Sequence, residues 1–122
     1  MLKKIYVGED DPLQIKLMKA VIERGENRHV TFFSDGLELY QKVQEEPPDL
    51  LALDIILPSL SGLAITRLLK IHEDYRKIPI LVISSVTEEN INQRVKAAGA
   101  TAFVQKPIRT DEFAQILTEL LK

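Results

Sequence analysis

Two stretches of this chain, Leu50-Leu51-Ala52-Leu53 and Ile80-Leu81-Val82-Ile83, are apolar at every position. A strand with one face in water alternates apolar and polar residues, so an unbroken apolar run of this length implies burial on both faces. Both runs are bounded by polar or turn residues and are far too short for a membrane span. They predict the central strands of a parallel sheet covered by helices on each side. Shorter β-branched runs at Ile5 to Val7, Val30 to Phe33 and Ala102 to Val104 supply three more strands. Between them the apolar period changes to that of a helix. Ile15, Met18, Val21 and Ile22 share one face, as do Ile65, Leu68, Leu69 and His72; so do Ile91, Val95 and Ala98, and Phe113, Ile116, Leu117 and Leu120. Helix follows strand five times, which predicts a single-domain, doubly wound (βα)5 sheet of the α/β class.

The punctuation agrees with that division. Asp11-Pro12 has the form of an N-cap followed by proline at the first helical position, and Thr110-Asp111-Glu112 supplies a cap with acids in the first turn. Gly25 and Gly99 stand where glycines end helices, and Pro47-Pro48 stops the second helix. With 122 residues the chain has room for one domain, spanning 1–122. Hydrophobic residues at 45% and charged residues at 28% place it among globular chains rather than disordered ones. Without cysteine it has no disulfide, thiolate metal site or cysteine nucleophile, which fits a reducing compartment, and the N-terminal segment lacks the apolar core of a signal peptide. A cytoplasmic location is expected. Net charge is -2, so composition gives no case for nucleic acid as a partner, and no segment for a membrane.

In an open parallel sheet the ligand crevice lies beyond the carboxyl ends of the strands. The first run exits into Glu9-Asp10-Asp11, the third into Asp54, the fourth into Ser84-Ser85 and the fifth into Lys106-Pro107. The second exits into Ser34-Asp35-Gly36, a turn and helix start. Carboxylates about 5 Å apart repel by roughly 3 kcal/mol per pair at an effective dielectric near 20, so convergence of Glu9, Asp10 and Asp54 invites a cation. Oxygen ligands without histidine or cysteine select a hard ion, and a small open set suits Mg²⁺ better than Ca²⁺. Solvated charges at a helix start are the alternative account of the N-terminal acids, and capping explains Asp11. Asp54 is harder to explain as solvated, because an ionised carboxylate closing so apolar a run requires a partner. Lys106 ends the fifth strand, from which its stem can cross the crevice toward Asp54; its bond to Pro107 is one that can be cis. Together these groups suggest phosphoryl chemistry, with a carboxylate nucleophile, a divalent ion, and a lysine and hydroxyl for the phosphoryl oxygens. A phosphorylated Asp54 beside Glu9, Asp10 and Lys106 leaves a net charge of about -3, which Mg²⁺ reduces to about -1.

The ordered set of Glu9-Asp10, Asp54 after its apolar run, Leu57-Pro58, Gly62, Ser84-Ser85, Gly99-Ala100, Phe103 and Lys106-Pro107 resembles the receiver domain of two-component response regulators over essentially the whole chain. The resemblance implies a flavodoxin-like sheet of order 2-1-3-4-5. It implies that Asp54 accepts a phosphoryl group from a histidine kinase or phosphotransfer protein. Mg²⁺ would be held by Asp10, Asp54, the Ile56 carbonyl and, through water, Glu9. By the same likeness Lys106 pairs with the phosphoryl group, Ser84 moves to hydrogen-bond it, and Phe103 swings inward to re-form the surface of the fourth helix, fifth strand and fifth helix. That surface would meet a downstream target protein, in a monomer or a phosphorylation-linked dimer.

Several positions depart from the family's usual pattern. Gly8 replaces a common apolar residue, which predicts a looser end to the first strand or a close backbone approach. Ser61 stands where aspartate is frequent and can still cap a helix. Phe103 lacks the hydroxyl of a tyrosine and can be buried without an unpaired polar group. Ile56 and Val86 offer nothing polar to orient a water, which predicts slow self-dephosphorylation. The last helix reaches Lys122, so output is expected through a separate protein, as in chemotaxis regulators, or through a phosphorelay. A pseudo-receiver that binds partners without phosphorylation is the alternative. A flavin or nucleotide protein on the same sheet would need a phosphate cradle after the first strand, where acids stand instead.

Overall fold

The computed structural model describes residues 1–122. The chain alternates β1 (Lys3–Gly8), α1 (Pro12–Ile22), β2 (Arg28–Phe33), α2 (Gly36–Glu45), β3 (Leu50–Asp54), α3 (Gly62–Lys70), β4 (Ile80–Ser84), α4 (Ile91–Ala98), β5 (Ala102–Gln105) and α5 (Thr110–Leu120). The five strands lie in the order β2-β1-β3-β4-β5, and every neighbouring pair is parallel. The helix-covered parallel sheet is the one expected from the two apolar runs, and its order is the flavodoxin-like one that the family resemblance implies.

Burial on both sides of the central strands follows from the period of two along a strand. Leu51 and Leu53 of β3 join Leu39, Val43, Leu63, Ile65, Leu69 and Val95 in a core on the α2–α3–α4 side. Leu50 and Ala52 join Met18, Val21, Ile22, Phe113 and Leu117 on the α1–α5 side. All five residues of β3 and all five of β4 are buried. A polar side chain along either strand would lack water, so chemistry is confined to the strand ends.

Capping largely follows the sequence. Asp11 accepts from the Leu13 amide and Ser61 from the Ala64 amide, and Gly99 ends α4 with φ of 98°. Asp35 caps α2 through the Glu38 amide. Three expectations are corrected. Thr110 is the first helical residue of α5 rather than its cap; the cap is Arg109, whose side chain makes no capping bond. Gly25 is not a left-handed helix terminator, since α1 closes at Glu23 and the positive φ falls on Asn27. Its missing side chain instead leaves room for the Arg28 guanidinium, which donates to the Ile22 carbonyl at 3.3 Å. Leu68 and His72 are exposed, because α3 buries Leu63, Thr66, Ile65 and Leu69 and ends at Lys70.

Candidate functional site

The carboxyl ends of β1, β3, β4 and β5 bring polar groups to one edge of the sheet. Glu9, immediately after β1, is 1% exposed; Asp54, the last residue of β3, is 7% exposed, and Ser84, the last of β4, is fully buried. Lys106 follows β5 across a backbone bond from its amide to the Ser84 carbonyl at 2.8 Å. That bond aims the lysine stem across the end of β4 toward β3.

Lys106 Nζ reaches both acids. It donates to Asp54 Oδ2 at 2.6 Å and lies 3.0 Å from Glu9 Oε1. The other Asp54 oxygen, Oδ1, accepts from the Ile56 amide at 3.0 Å, so backbone of the following loop holds the carboxylate plane. Glu9 Oε2 accepts from the Asp11 amide at 3.2 Å. Ser84 Oγ accepts from the Val86 amide at 2.9 Å, which leaves its hydroxyl proton for another partner.

The electrostatics follow from packing two acids and one base at a dry edge. Burial pushes the Glu9 carboxyl above its ordinary value; Lys106 pulls it back and the Asp54 charge adds to the rise. Burial pulls the Lys106 ammonium down, but hydrogen bonds and charge from Asp54 and Glu9 outweigh it and leave the pKa raised. One positive group thus offsets two negative ones, and the cluster keeps an excess of negative charge.

A divalent cation fits this residue set. Glu9 Oε1 is buried, and the polar group that meets it is the Lys106 ammonium at 3.0 Å. A carboxylate oxygen has lone pairs for more than one contact, so this all-oxygen set can also take a hard cation, or water on one, beside the ammonium. Asp10 is exposed beside it and makes no ion pair, and Ile56, 64% exposed, carries the carbonyl that the family resemblance assigns to the metal. The acids are not gathered into a ready three-ligand group, because Lys106 stands between Glu9 and Asp54.

The remaining expected residues sit close by or along β5. Pro107 is exposed after a cis Lys106–Pro107 bond. Phe103 is half-buried against the α2–α4 core and lines a cavity of about 280 Å³ with Val95 of α4. The loop after Asp54 is held in a fixed path by contacts to its own backbone and to α2. A Cβ on Gly62 would run into the Asp54 carbonyl oxygen, and the Gly62 amide donates to the Ile55 carbonyl at 2.9 Å. Ser59 Oγ donates to Asp35 Oδ1, and the Gly36 amide donates to the Pro58 carbonyl at 2.9 Å, so the loop is tied to the start of α2. Sequence reasoning missed this tie, since Asp35 and Ser59 are each sufficiently explained by local turns.

Comparison with known proteins places the chain in a family. Residues 5–118 match the response regulator receiver domain. The polar-differentiation response regulator DivK of Brucella ovis is 32% identical over 121 residues, covering 99% of this chain and 98% of that protein. The crystal structure of the signal receiver domain of a histidine kinase from Syntrophus aciditrophicus superposes with a TM-score of 0.89 at 27% identity, covering 98% of this chain and 89% of the other. At 23% identity, with a TM-score of 0.86 over 99% and 98% of the two chains, the receiver domain of the Pseudomonas aeruginosa sensor kinase PA1611 has the same fold; it was solved with a magnesium ion coordinated in its active site cleft. By sequence over nearly its full length, and by a fold that delivers an acid-and-lysine cluster to one sheet edge, the chain belongs to the response regulator receiver domain family.

Proposed function

We propose that this receiver domain is a phosphorylation switch whose acceptor is Asp54 and whose phosphoryl donor is a histidine kinase or phosphotransfer protein. The observation that carries the reading is the double contact of Lys106 Nζ, 2.6 Å from Asp54 Oδ2 and 3.0 Å from Glu9 Oε1. It keeps an ionised nucleophile at a buried strand end and sets a cation beside the oxygens of an incoming phosphoryl group. An Asp54 oxygen forms the new O–P bond as the P–N bond of the donor phosphohistidine breaks, and the electron pair leaves with the imidazole. Asp10, Asp54, the Ile56 carbonyl and, through water, Glu9 would hold Mg²⁺, which supplies charge neutralisation to the transferring phosphoryl group.

Lys106 and Ser84 then serve as donors to the phosphoryl oxygens. The free hydroxyl proton of Ser84 supports that role, as does the bond from the Lys106 amide to the Ser84 carbonyl. Phe103 lines a cavity against α4, on the surface that the switch would re-form. The output is altered contact of α4, β5 and α5 with a target protein, in a monomer or a phosphorylation-linked dimer, and a cytoplasmic setting fits it. The domain regulates rather than turning over substrate.

Incubation with a small acyl-phosphate donor, with and without Mg²⁺, followed by intact-mass measurement of the parent and Asp54→Asn, tests this. A Mg²⁺-dependent phosphoryl gain in the parent alone is expected; equal gain in both proteins removes Asp54 from the role. A phosphorylation-independent interaction module is the second reading. It is favoured by the exposed, unpaired Asp10 and the lack of a gathered acidic triad, and failure of the parent to gain mass under any condition would select it.

A further inference from the structure

Gly8 ends β1 in full register with both neighbouring strands, opposite Phe33 of β2 and Leu53 of β3. The strand end is therefore not loosened, contrary to the expectation from sequence, and what approaches Gly8 is a side chain rather than backbone. A Cβ at this position would lie 2.8 Å from Leu57 Cδ1, 3.2 Å from Leu39 Cδ1 and 3.3 Å from Leu53 Cδ2. Leu57 occupies the volume that any other residue would fill, and is 7% exposed in a loop whose preceding residue, Ile56, is largely in water.

The contact joins two segments with different duties. Glu9 and Asp10 leave β1 immediately after Gly8, and Ile56, whose amide holds Asp54 Oδ1, immediately precedes Leu57. We infer that Leu57 seated on Gly8 is a positioning device that fixes the spacing between the two halves of the cation site. This rests on the proposed Mg²⁺-dependent role of that site. A loop anchored only by its own turn could drift from the β1 end, whereas a leucine in a fitted socket holds it at one distance. The socket exists because residue 8 has no side chain, and the three atoms a methyl would meet are all tips of flexible leucines. Gly8→Ala should thus fold while displacing Leu57.

The test is Mg²⁺ titration followed by backbone amide NMR, using the parent, Gly8→Ala, Leu57→Ala, the Gly8→Ala/Leu57→Ala double variant, and Val43→Ala. Val43 lies in the same core but on α2, away from the site. Gly8→Ala should weaken Mg²⁺ affinity about tenfold, the loss typical when support behind metal ligands is removed. It should also shift the Glu9 and Ile56 amides in metal-free protein. Leu57→Ala, which empties the socket, should weaken Mg²⁺ affinity as well, and the double variant, with no Leu57 tip for the added methyl to displace, should be no weaker than Leu57→Ala alone. Parent-like affinity in Leu57→Ala overturns the inference. Val43→Ala should lower stability with affinity unchanged. Parent-like affinity and metal-free shifts in Gly8→Ala overturn the inference and leave the proposed function standing. Equal losses of affinity in Gly8→Ala and Val43→Ala also overturn it, since the effect would then be general softening. A parent that binds no Mg²⁺ overturns both, and the acyl-phosphate experiment on the parent identifies that case separately.

Discussion

Lys106 Nζ and Asp54 Oδ2 are 2.6 Å apart although their strands, β5 and β3, do not touch: β4 lies between them. The lysine spans the end of β4 because its amide is bonded to Ser84, and in doing so it is the counterion of two buried acids.

Lys106→Met keeps the stem and removes the charge. Glu9 and Asp54 are then left as buried acids without a cation. Breaking a fully buried pair costs about 3–5 kcal/mol, and the slight exposure of the lysine tip brings the expected loss at neutral pH to roughly 2–3 kcal/mol by urea unfolding. Adding Asp54→Asn removes one of the two stranded charges, so the double variant should be more stable than the sum of the single effects. Strict additivity would mean that the cluster does not act as a unit.

The phosphorylated form should lose its phosphoryl group slowly. Ile56 and Val86, flanking the site, have no polar atom beyond their backbone with which to orient a water. Positioned acid–base groups are worth about 10²–10⁴-fold, and neither position supplies one. Decay followed by intact mass at neutral pH should take minutes or longer, and Ile56→Gln should hasten it by about tenfold, a fraction of that range. Decay of the parent within seconds contradicts the prediction.

Gly62→Ala should be among the most damaging small changes in the chain. The added methyl meets the Asp54 carbonyl oxygen, which is backbone and cannot rotate away, unlike the leucine tips around Gly8. Overpacking that forces backbone to move costs about 1–3 kcal/mol or more, and here the moved backbone carries the proposed acceptor. Loss of both urea stability and phosphoryl gain is expected; a stable variant with full gain would mean that the loop is free to shift.

Much of this was legible in sequence, for reasons that particular residues make plain. Leu50 to Leu53 and Ile80 to Ile83 could only be interior strands, which fixed the sheet type and hence the edge at which Asp54, Ser84 and Lys106 emerge. What stayed hidden depended on contacts between distant segments with adequate local explanations of their own. Asp35 already caps α2 and Ser59 already sits in a turn, so nothing in either hinted at their mutual bond. Gly8 looked like a weakness because its vacancy is visible in sequence and the leucine that fills it is not. Arg109 rather than Thr110 flanks α5, since a good capping residue one position inside a helix cannot be told from one at its edge.

The tie between Asp35 and Ser59 makes stability depend on acid in a defined direction. Hydrogen bonds from the Ser59 hydroxyl and then from the Glu38 amide hold the Asp35 carboxyl below its ordinary value. A group with a lower pKa folded than unfolded stabilises the fold above the unfolded value, about 3.9 for aspartate, and that contribution fades as pH falls through the folded value. Asp35→Asn keeps a cap but has no charge to lose. The parent should unfold at a higher temperature than Asp35→Asn at neutral pH, and the gap should stay constant down to about pH 5, then close on further acidification. Ser59→Ala should narrow the gap at neutral pH by removing the hydroxyl that lowers the Asp35 pKa most. A gap that widens in acid would reverse the sign and show that Asp35 is destabilised, not held, by its contact with the loop after β3.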